Sequence, residues 1–180
     1  WNFYKRNCSL CGKGMGSIYN PSYQGPVYCQ PCWWSDKWDP RDYGQNIDFS
    51  RSFFEQFHKL RFKVPRVALA NHQSVNSEYS NQSERNKNCY MVVATGTSED
   101  CMYGNWNQSS KHCVDCWAVN KCEIMYESLN CRKCYQCLFV EDCFETNAAY
   151  FSRDLRGCHN CFGCVGLRNK SYYWVNEQLS

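Results

Sequence analysis

The chain has 180 residues, which is enough for one ordinary domain or two small ones. Sixteen cysteines are several times the average usage, and 43% apolar with 17% aromatic residues excludes a disordered chain. The net charge of +3 is too small to require a nucleic-acid partner, and the sequence has no apolar run long enough to span a membrane. We therefore expect a soluble, cytoplasmic protein without membrane association.

Two CxxC pairs lie near the start of the sequence. Cys8 and Cys11 form the first, Gly12 follows directly, and Cys29 and Cys32 form the second. Each pair offers two thiolates from one tight turn, and two such turns complete a tetrahedral site, while Gly12 suits a turn that needs positive φ. The alternative is two disulfides of a secreted domain. We favour one structural zinc ion, which has no open coordination position for chemistry.

Three tryptophans follow the second pair, at Trp33, Trp34 and Trp38. Aromatic rings in a row can stack on nucleic-acid bases. More often they cover the small core beside a zinc site, which has few other residues to bury. We favour the packing role.

A short helix is predicted next. Ser52 and Glu55 have the spacing of a capping box, and Phe53, Phe57 and Leu60 follow on one helical face. A proline at position 65 is expected to end the helix.

The segment 59–66 alternates basic and apolar residues. We interpret it as a solvated edge strand. The alternative is a phosphate-binding segment built on Arg61, Lys63 and Arg66.

A three-residue period dominates the rest of the chain. All twelve cysteines from Cys89 to Cys164 lie in one phase of this period, which begins at Ser77. Helices repeat at 3.6 residues and strands at 2, so neither regular element explains it. A chain that turns after every inward residue does, because each inward position is then followed by two outward ones. The pattern predicts a narrow parallel β-solenoid.

The coil length follows from a ladder of large apolar residues that recurs every twelve positions. Its members are Tyr90, Met102, Val114, Tyr126, Leu138, Tyr150 and Phe162. A coil of 18 residues would break this ladder, so we predict 12 residues per coil and seven to eight coils. The ladder lies outside the lumen and needs a cover, either the helix with Phe53 and Phe57 or a partner chain.

The solenoid cysteines leave three alternatives open. They are small, readily buried side chains that can fill the narrow lumen as free thiols. Pairs six residues apart, Cys116 with Cys122 and Cys137 with Cys143, could instead form disulfides. Some could be further zinc ligands, although a three-residue period generates CxxC spacing automatically. We favour free thiols.

Charge and cysteine content both change near Asn71. Residues 1–72 carry ten basic and five acidic residues, whereas residues 73–180 carry ten and twelve. We predict a mainly β protein with three parts: a zinc ribbon at 1–47, a linker helix and strand at 48–72 that cap the solenoid, and a cysteine-rich solenoid at 73–180.

Several segments resemble a family of uncharacterised cysteine-rich zinc-ribbon proteins predicted in uncultivated small bacteria of candidate phyla and in environmental phages. The segments that carry the resemblance, which covers nearly the whole chain, are 28–40 (YCQPCWWSDKWDP), 53–57 (FFEQF), 76–79 (NSEY), 86–90 (NKNCY) and 161–170 (CFGCVGLRNK). The resemblance implies a further CxxC ribbon upstream and a continuation downstream, so that this chain, which begins at Trp1, is an internal portion of a longer protein. It implies no activity.

Three functional hypotheses follow. The first is a zinc-stapled structural or binding protein whose rigid solenoid presents its ladder to a protein partner or to a second copy, cytoplasmic or, if phage-encoded, associated with a virion. The second is a nucleic-acid-binding zinc-ribbon protein that uses Arg61, Lys63 and Arg66 with Trp33 and Trp34. The third is a thiol-redox or multi-zinc protein. The sequence has no HExxH, Walker, GxGxxG or GxSxG motif, so we expect neither catalysis nor a small-molecule substrate.

Overall fold

The computed structural model describes residues 2–179, so Trp1 and Ser180 lie outside the described residues. The chain divides into two compact units, the first ending at Ala70 and the second beginning at Asn71. Each unit has its own small core.

The first unit contains short elements. They are strands β1 (Tyr4–Asn7), β2 (Gly14–Ser17), β3 (Val27–Tyr28) and β4 (Arg66–Val67), helices α1 (Gln30–Trp33) and α2 (Phe53–Lys63), and a 3₁₀ helix at Pro40–Tyr43. Strands β1 and β2 form an antiparallel hairpin, and β3 pairs in parallel with β4. The chain after α2 thus returns to the β3 strand of the same unit.

Helix α2 begins after Ser52 and ends before Pro65 as predicted, but without the predicted cap. Its last residue is Lys63, just before Pro65, which cannot continue the backbone ladder. The predicted capping box is wrong, because the Ser52 side chain makes no cap hydrogen bond and Glu55 instead pairs with Arg51 and Lys59 one turn away. None of the helix residues is buried.

The predicted edge strand at 59–66 is also wrong. Residues 59–63 belong to α2, and only Arg66 and Val67 form a strand. Lys, Leu and Arg are good helix formers, so their alternation of charge does not outweigh a helix that has already started.

The second unit is a parallel β-solenoid. Its strands are β5 (Asn71–His72), β6 (Ser83–Glu84), β7 (Lys111–Val114), β8 (Glu123–Tyr126), β9 (Tyr135–Leu138), β10 (Asn147–Tyr150), β11 (His159–Phe162), β12 (Ser171–Trp174) and β13 (Glu177–Gln178). Strands β5 and β6 pair with each other, β7 to β12 stack in chain order, and β13 returns antiparallel to β12.

The register is twelve residues throughout. Cys113 lies opposite Met125, and Met125 lies opposite Cys137. Isolated bridges such as Val75 to Lys87 extend the same register between the longer strands. The predicted coil length is confirmed, and there are about nine coils where we predicted seven to eight. The difference arises because the register already begins at Asn71, opposite Ser83.

Each coil has four inward positions, three residues apart. In one coil these are Cys113, Cys116, Val119 and Cys122, all buried, and Met125 begins the next coil. Small side chains predominate because the four inward residues of a coil share one narrow lumen.

A left-handed residue precedes each inward position. From Gln82 to Val175 every third residue has a positive φ, between 43° and 74°. His112, for example, has φ 50° and is followed by the inward Cys113. This conformation costs most L-residues about 1 kcal/mol, which explains why many of these positions hold Asn, Asp or Gly. Each such residue turns the chain at a corner of the coil.

Two backbone hydrogen bonds per corner join neighbouring coils. The residue after an inward position donates to the next coil, as Tyr90 N–H does to the Cys101 carbonyl at 3.0 Å. The corner residue donates to the previous coil, as Tyr103 N–H does to the Tyr90 carbonyl at 3.0 Å. The backbone N–H groups of the inward residues take no part in these bonds between coils.

Several inward amides are instead paired with side chains of the previous coil. Cys89 N–H donates to Ser77 Oγ at 3.0 Å, and Cys122 N–H donates to Ser110 Oγ at 3.2 Å. Ser98 N–H donates in the same way to the Asn86 side-chain oxygen at 3.0 Å. Where an inward side chain is Ser or Asn, its oxygen thus pairs the inward amide of the next coil.

Cysteine pairs with the backbone in another way, because its thiol donates to carbonyls. Cys122 Sγ approaches the carbonyl of Asn120 at 3.4 Å and that of Cys131 at 3.5 Å, as donor to either. The same geometry recurs at Cys134, whose Sγ lies 3.3 Å from the Cys143 carbonyl. Thiols thus fill the lumen and pair with backbone groups at the same time.

Removing one lumen acceptor should destabilise the solenoid. In Ser110→Ala the Cys122 N–H loses its partner in a dry interior, and we expect the free energy of unfolding to fall by about 1–3 kcal/mol in a denaturant titration. Ser110→Cys keeps an acceptor and should lose less. Ser109→Ala, at the exposed neighbouring corner, is the matched control and should change stability little. Equal losses in Ser110→Ala and Ser109→Ala would contradict the role of the hydroxyl.

Candidate metal centre

Four cysteines of the first unit converge. The Sγ atoms of Cys8, Cys11, Cys29 and Cys32 all lie within 4.8 Å of one another, and Cys11 Sγ is 3.8 Å from Cys29 Sγ. Cys8 and Cys32 are buried, Cys29 is half-buried and Cys11 is exposed. The group could hold one metal ion, and it is the one group of three or more metal-binding side chains found among residues 2–179.

Each pair sits on a tight turn, as its spacing predicted. In the β1–β2 hairpin, Gly12 N–H donates to the Cys8 carbonyl at 2.9 Å, and Gly12 has φ 74°. Cys29 precedes α1 and Cys32 lies within it, so one helical turn brings both sulfurs to the same side.

The sulfurs influence one another's ionisation. Burial opposes ionisation of Cys8, but hydrogen bonds from the backbone at Cys11, Cys29 and Leu10 outweigh it and lower its pKa to about 6. Cys29 N–H, for example, donates to Cys8 Sγ at 3.2 Å. Hydrogen bonding to the Cys29 side chain, together with burial, raises the pKa of Cys32 to about 12. A bound cation would favour all four thiolates at once.

The core beside this centre is small. Cys8, Tyr28 and Cys32 form it, and Trp33 and Trp38 pack against them. The two indoles lie 4.8 Å apart, and Trp38 Nε1 donates to the Trp33 carbonyl at 3.0 Å. With so few buried side chains, a metal ion bound by the four cysteines would add substantially to the stability of the first unit.

Metal content tests this centre directly. We expect one divalent ion per native chain, measured by elemental analysis after gel filtration, and close to none in Cys8→Ser/Cys29→Ser. Thermal unfolding of the first unit should shift to lower temperature in that variant, because metal-binding free energy is also folding free energy.

The matched control is Cys158→Ser in the solenoid lumen. Serine already occupies equivalent inward positions such as Ser110, so this variant should fold and keep its metal. Several ions per native chain, or loss of metal in Cys158→Ser, would contradict a single centre in the first unit.

The cysteines of the second unit differ from the four of the first unit in that all of them are buried in the lumen. All sixteen cysteines of the chain are free, and the twelve of the solenoid are buried. Burial raises the pKa of Cys161 to about 11, which keeps its thiol protonated at neutral pH. His159, the neighbour of Cys158, points outward and is exposed.

The predicted ladder forms one continuous column on the solenoid. Tyr90 lies opposite Met102, Tyr126 opposite Leu138, and Tyr150 opposite Phe162. Trp174 continues the column beyond Phe162, which sequence reasoning missed because no later coil marks it. We call this column the aromatic seam, with the members Tyr90, Met102, Val114, Tyr126, Leu138, Tyr150, Phe162 and Trp174.

Rings at the adjoining corners fill the gaps in the aromatic seam. Phe139 and Phe151 stack with centroids 4.7 Å apart, and Phe151 contacts Phe162 at 5.4 Å. Phe162 in turn stacks on Trp174 at 4.2 Å. Phe139, Phe151, Phe162 and Trp174 thus form one contiguous run of contacting rings.

The residues of the nucleic-acid hypothesis lie in the first unit. Arg61 and Lys63 are exposed at the end of α2, Arg66 is half-buried on β4, and Trp33 packs beside the metal centre. Trp34 is 68% exposed. Base stacking by this group stays a prediction, although Trp33 has the packing role that we favoured.

Comparisons with known proteins give little further information. No protein-family model matches the sequence, and no curated protein matches it. Among solved structures, the chain is similar to the acetyltransferase domain of PglB from Neisseria gonorrhoeae FA1090, with 13% identity and a TM-score of 0.14. That similarity covers 64% of this chain and 58% of the other. Among the described residues, no helix is long and apolar enough to cross a membrane.

Proposed function

We propose that the protein is a scaffold stabilised by one structural zinc ion, with a binding role rather than a catalytic one. The four thiol ligands favour zinc, since tetrahedral Cys₄ sites with Zn–S bonds of about 2.3 Å are the usual structural zinc centres. Bonds of that length at tetrahedral angles separate neighbouring sulfurs by about 3.8 Å, and Cys11 Sγ and Cys29 Sγ are 3.8 Å apart. Four protein ligands leave the ion no open position for substrate.

The aromatic seam is the observation that carries the binding role. Its column contains no charged residue, and it runs over consecutive coils from Tyr90 to Trp174. Tyr90, Met102 and Trp174 are 42%, 41% and 51% exposed. Soluble proteins rarely leave an apolar patch of this extent uncovered unless it is an interaction site.

The occupant that fits this surface best is a second copy of the chain. The aromatic seam is a regular row of uncharged, mostly aromatic side chains, and an equally regular row is complementary to it. Two identical rows related by a twofold axis would pair every seam residue with an apolar counterpart. Side-by-side pairing of this kind is also suited to a protein that forms part of a larger particle.

Charged residues in the aromatic seam should separate the copies. We expect native protein to sediment as a dimer at micromolar concentration and Tyr126→Asp/Tyr150→Asp to sediment as a monomer. Two carboxylates per chain would otherwise be buried without partners at the interface.

Asn120→Asp/Phe144→Asp is the matched control, because it places two carboxylates two coils apart in another outward column. This control should remain dimeric, and circular dichroism should show all three proteins folded. A native protein that stays monomeric at high concentration, or a control that dissociates equally, would contradict pairing through the aromatic seam.

A further inference from the structure

A second surface of the solenoid has the features of a ligand site, and it centres on Trp106. This residue occupies a left-handed corner with φ 58° and is 61% exposed. The corners one coil before and one coil after it hold Ala94 and Ala118. Elsewhere on the solenoid, rings in neighbouring coils stack on one another, as Phe139 and Phe151 do. At Trp106 the two alanines leave the faces of the indole without such neighbours.

A side-chain amide is held in place beside this indole. Gln108 reaches back one coil, where its Nε2 donates to the Ala94 carbonyl at 3.0 Å. Gly96 makes room for it, because a Cβ at that position would lie 2.8 Å from Gln108 Oε1. The amide is thus fixed before any ligand binds, and its Oε1 has remaining capacity to accept a hydrogen bond.

The indole and the amide line one shallow cleft of about 410 Å³. The other lining residues are Ala94, Ala118, Val119 and Asn120, so none of the residues that line it is charged. The volume lies in the range of small-ligand sites, and the mixture of one aromatic face with two side-chain amides is typical of them.

These features identify the chemistry of the ligand. An exposed aromatic face selects a flat partner with apolar C–H groups, and amides select hydroxyl groups. A strand of nucleic acid also stacks on indoles, but its phosphates require cationic side chains, which the lining does not provide. We propose that the cleft formed by Trp106, Gln108 and Asn120 binds an uncharged sugar unit of a glycan.

The site does not depend on the metal centre or on the aromatic seam. Apart from the inward Val119, it is built from outward positions of three successive coils, from Ala94 to Asn120. A rigid solenoid that presents a sugar-binding cleft could attach its scaffold to a glycan-coated surface.

Calorimetric titration of the full chain tests this proposal. The probes are maltohexaose, cellohexaose, mannohexaose and chitohexaose, with hexagalacturonate and the oligonucleotide dT12 as charged comparisons. We expect at least one uncharged hexasaccharide to bind with a Kd below about 1 mM, and both charged probes to bind more weakly.

Three variants locate the binding. Trp106→Ala removes the stacking face, and Ala118→Phe covers it with a ring at a corner position that Phe139 and Phe151 show to be compatible with Phe. Each should weaken binding about tenfold or more. Trp117→Ala removes another exposed indole, 51% exposed and outside the cleft lining, and should change the Kd less than about twofold.

Each contrary result overturns the proposal. Failure of all four uncharged probes to bind at about 5 mM would do so, because the native cleft needs no rearrangement to accept them. Binding that persists in Trp106→Ala and Ala118→Phe, with unchanged melting temperatures, would place the sugar elsewhere. Binding of dT12 that depends on Trp106 would assign the cleft to nucleobases instead.

Discussion

The solenoid depends on how its inward amides are paired. In each coil four backbone N–H groups face the lumen, where no backbone carbonyl is aligned with them. An unpaired amide in a dry interior costs about 1–3 kcal/mol. The side chain one coil earlier removes it when it can accept, as Ser77 does for Cys89 and Asn86 does for Ser98. A lumen residue that can accept therefore both fills the lumen and pairs the amide of the next coil, whereas Val92, Val119 and Val140 only fill it.

Cysteine has two roles in the same chain. In the first unit, Cys8 and its three partners face one another with sulfurs within 4.8 Å, an arrangement suited to a metal ion. In the second unit, thiols such as Cys122 and Cys134 interact with backbone carbonyls along the lumen. Only the geometry distinguishes them, since both groups show CxxC spacing in the sequence.

The outward positions do not have to fit the lumen or pair the inward amides, so their side chains are available for binding. Their side chains stack on the coils above and below at fixed spacing, so a column becomes a surface with a regular pattern. The aromatic seam uses this regularity to form a continuous apolar row. In the column of Trp106 the stacking is interrupted, because alanines one coil before and one coil after leave the indole without stacked neighbours.

Sequence periodicity predicted the coil length, the lumen and the ladder because each depends on residue spacing alone. It also predicted the four-cysteine group, whose two pairs each need only one tight turn. It did not predict the left-handed corners, although Asn88, Asp100 and Gly157 at these positions were a signal for them. Other corner positions hold residues such as Ile124, which disfavours positive φ, so the corners cannot be recognised from residue type alone. Hydrogen bonds between coils override the backbone preference of these residues.

The cap and strand errors in the first unit have a related cause. Ser52 has the spacing of a capping residue, but its side chain makes no cap bond and Glu55 pairs along the helix instead. The alternation in 59–66 has the period of a strand, but helix propensity decides at Lys59 and Arg61. Short local patterns are weak evidence where no repeated register supports them.

The most direct test of the lumen constraint is the free energy of unfolding of Val140→Thr, measured by denaturant titration of the solenoid. Val140 is 2% exposed, and a threonine in an apolar core ordinarily costs about 1–3 kcal/mol. Here the hydroxyl should accept from the amide of Ser152 and donate to the Leu138 carbonyl, as Thr146 donates to Phe144 at 3.0 Å. We predict unchanged stability or a gain of up to about 1 kcal/mol. A loss of the ordinary size would show that the inward amides do not select the residues of the lumen.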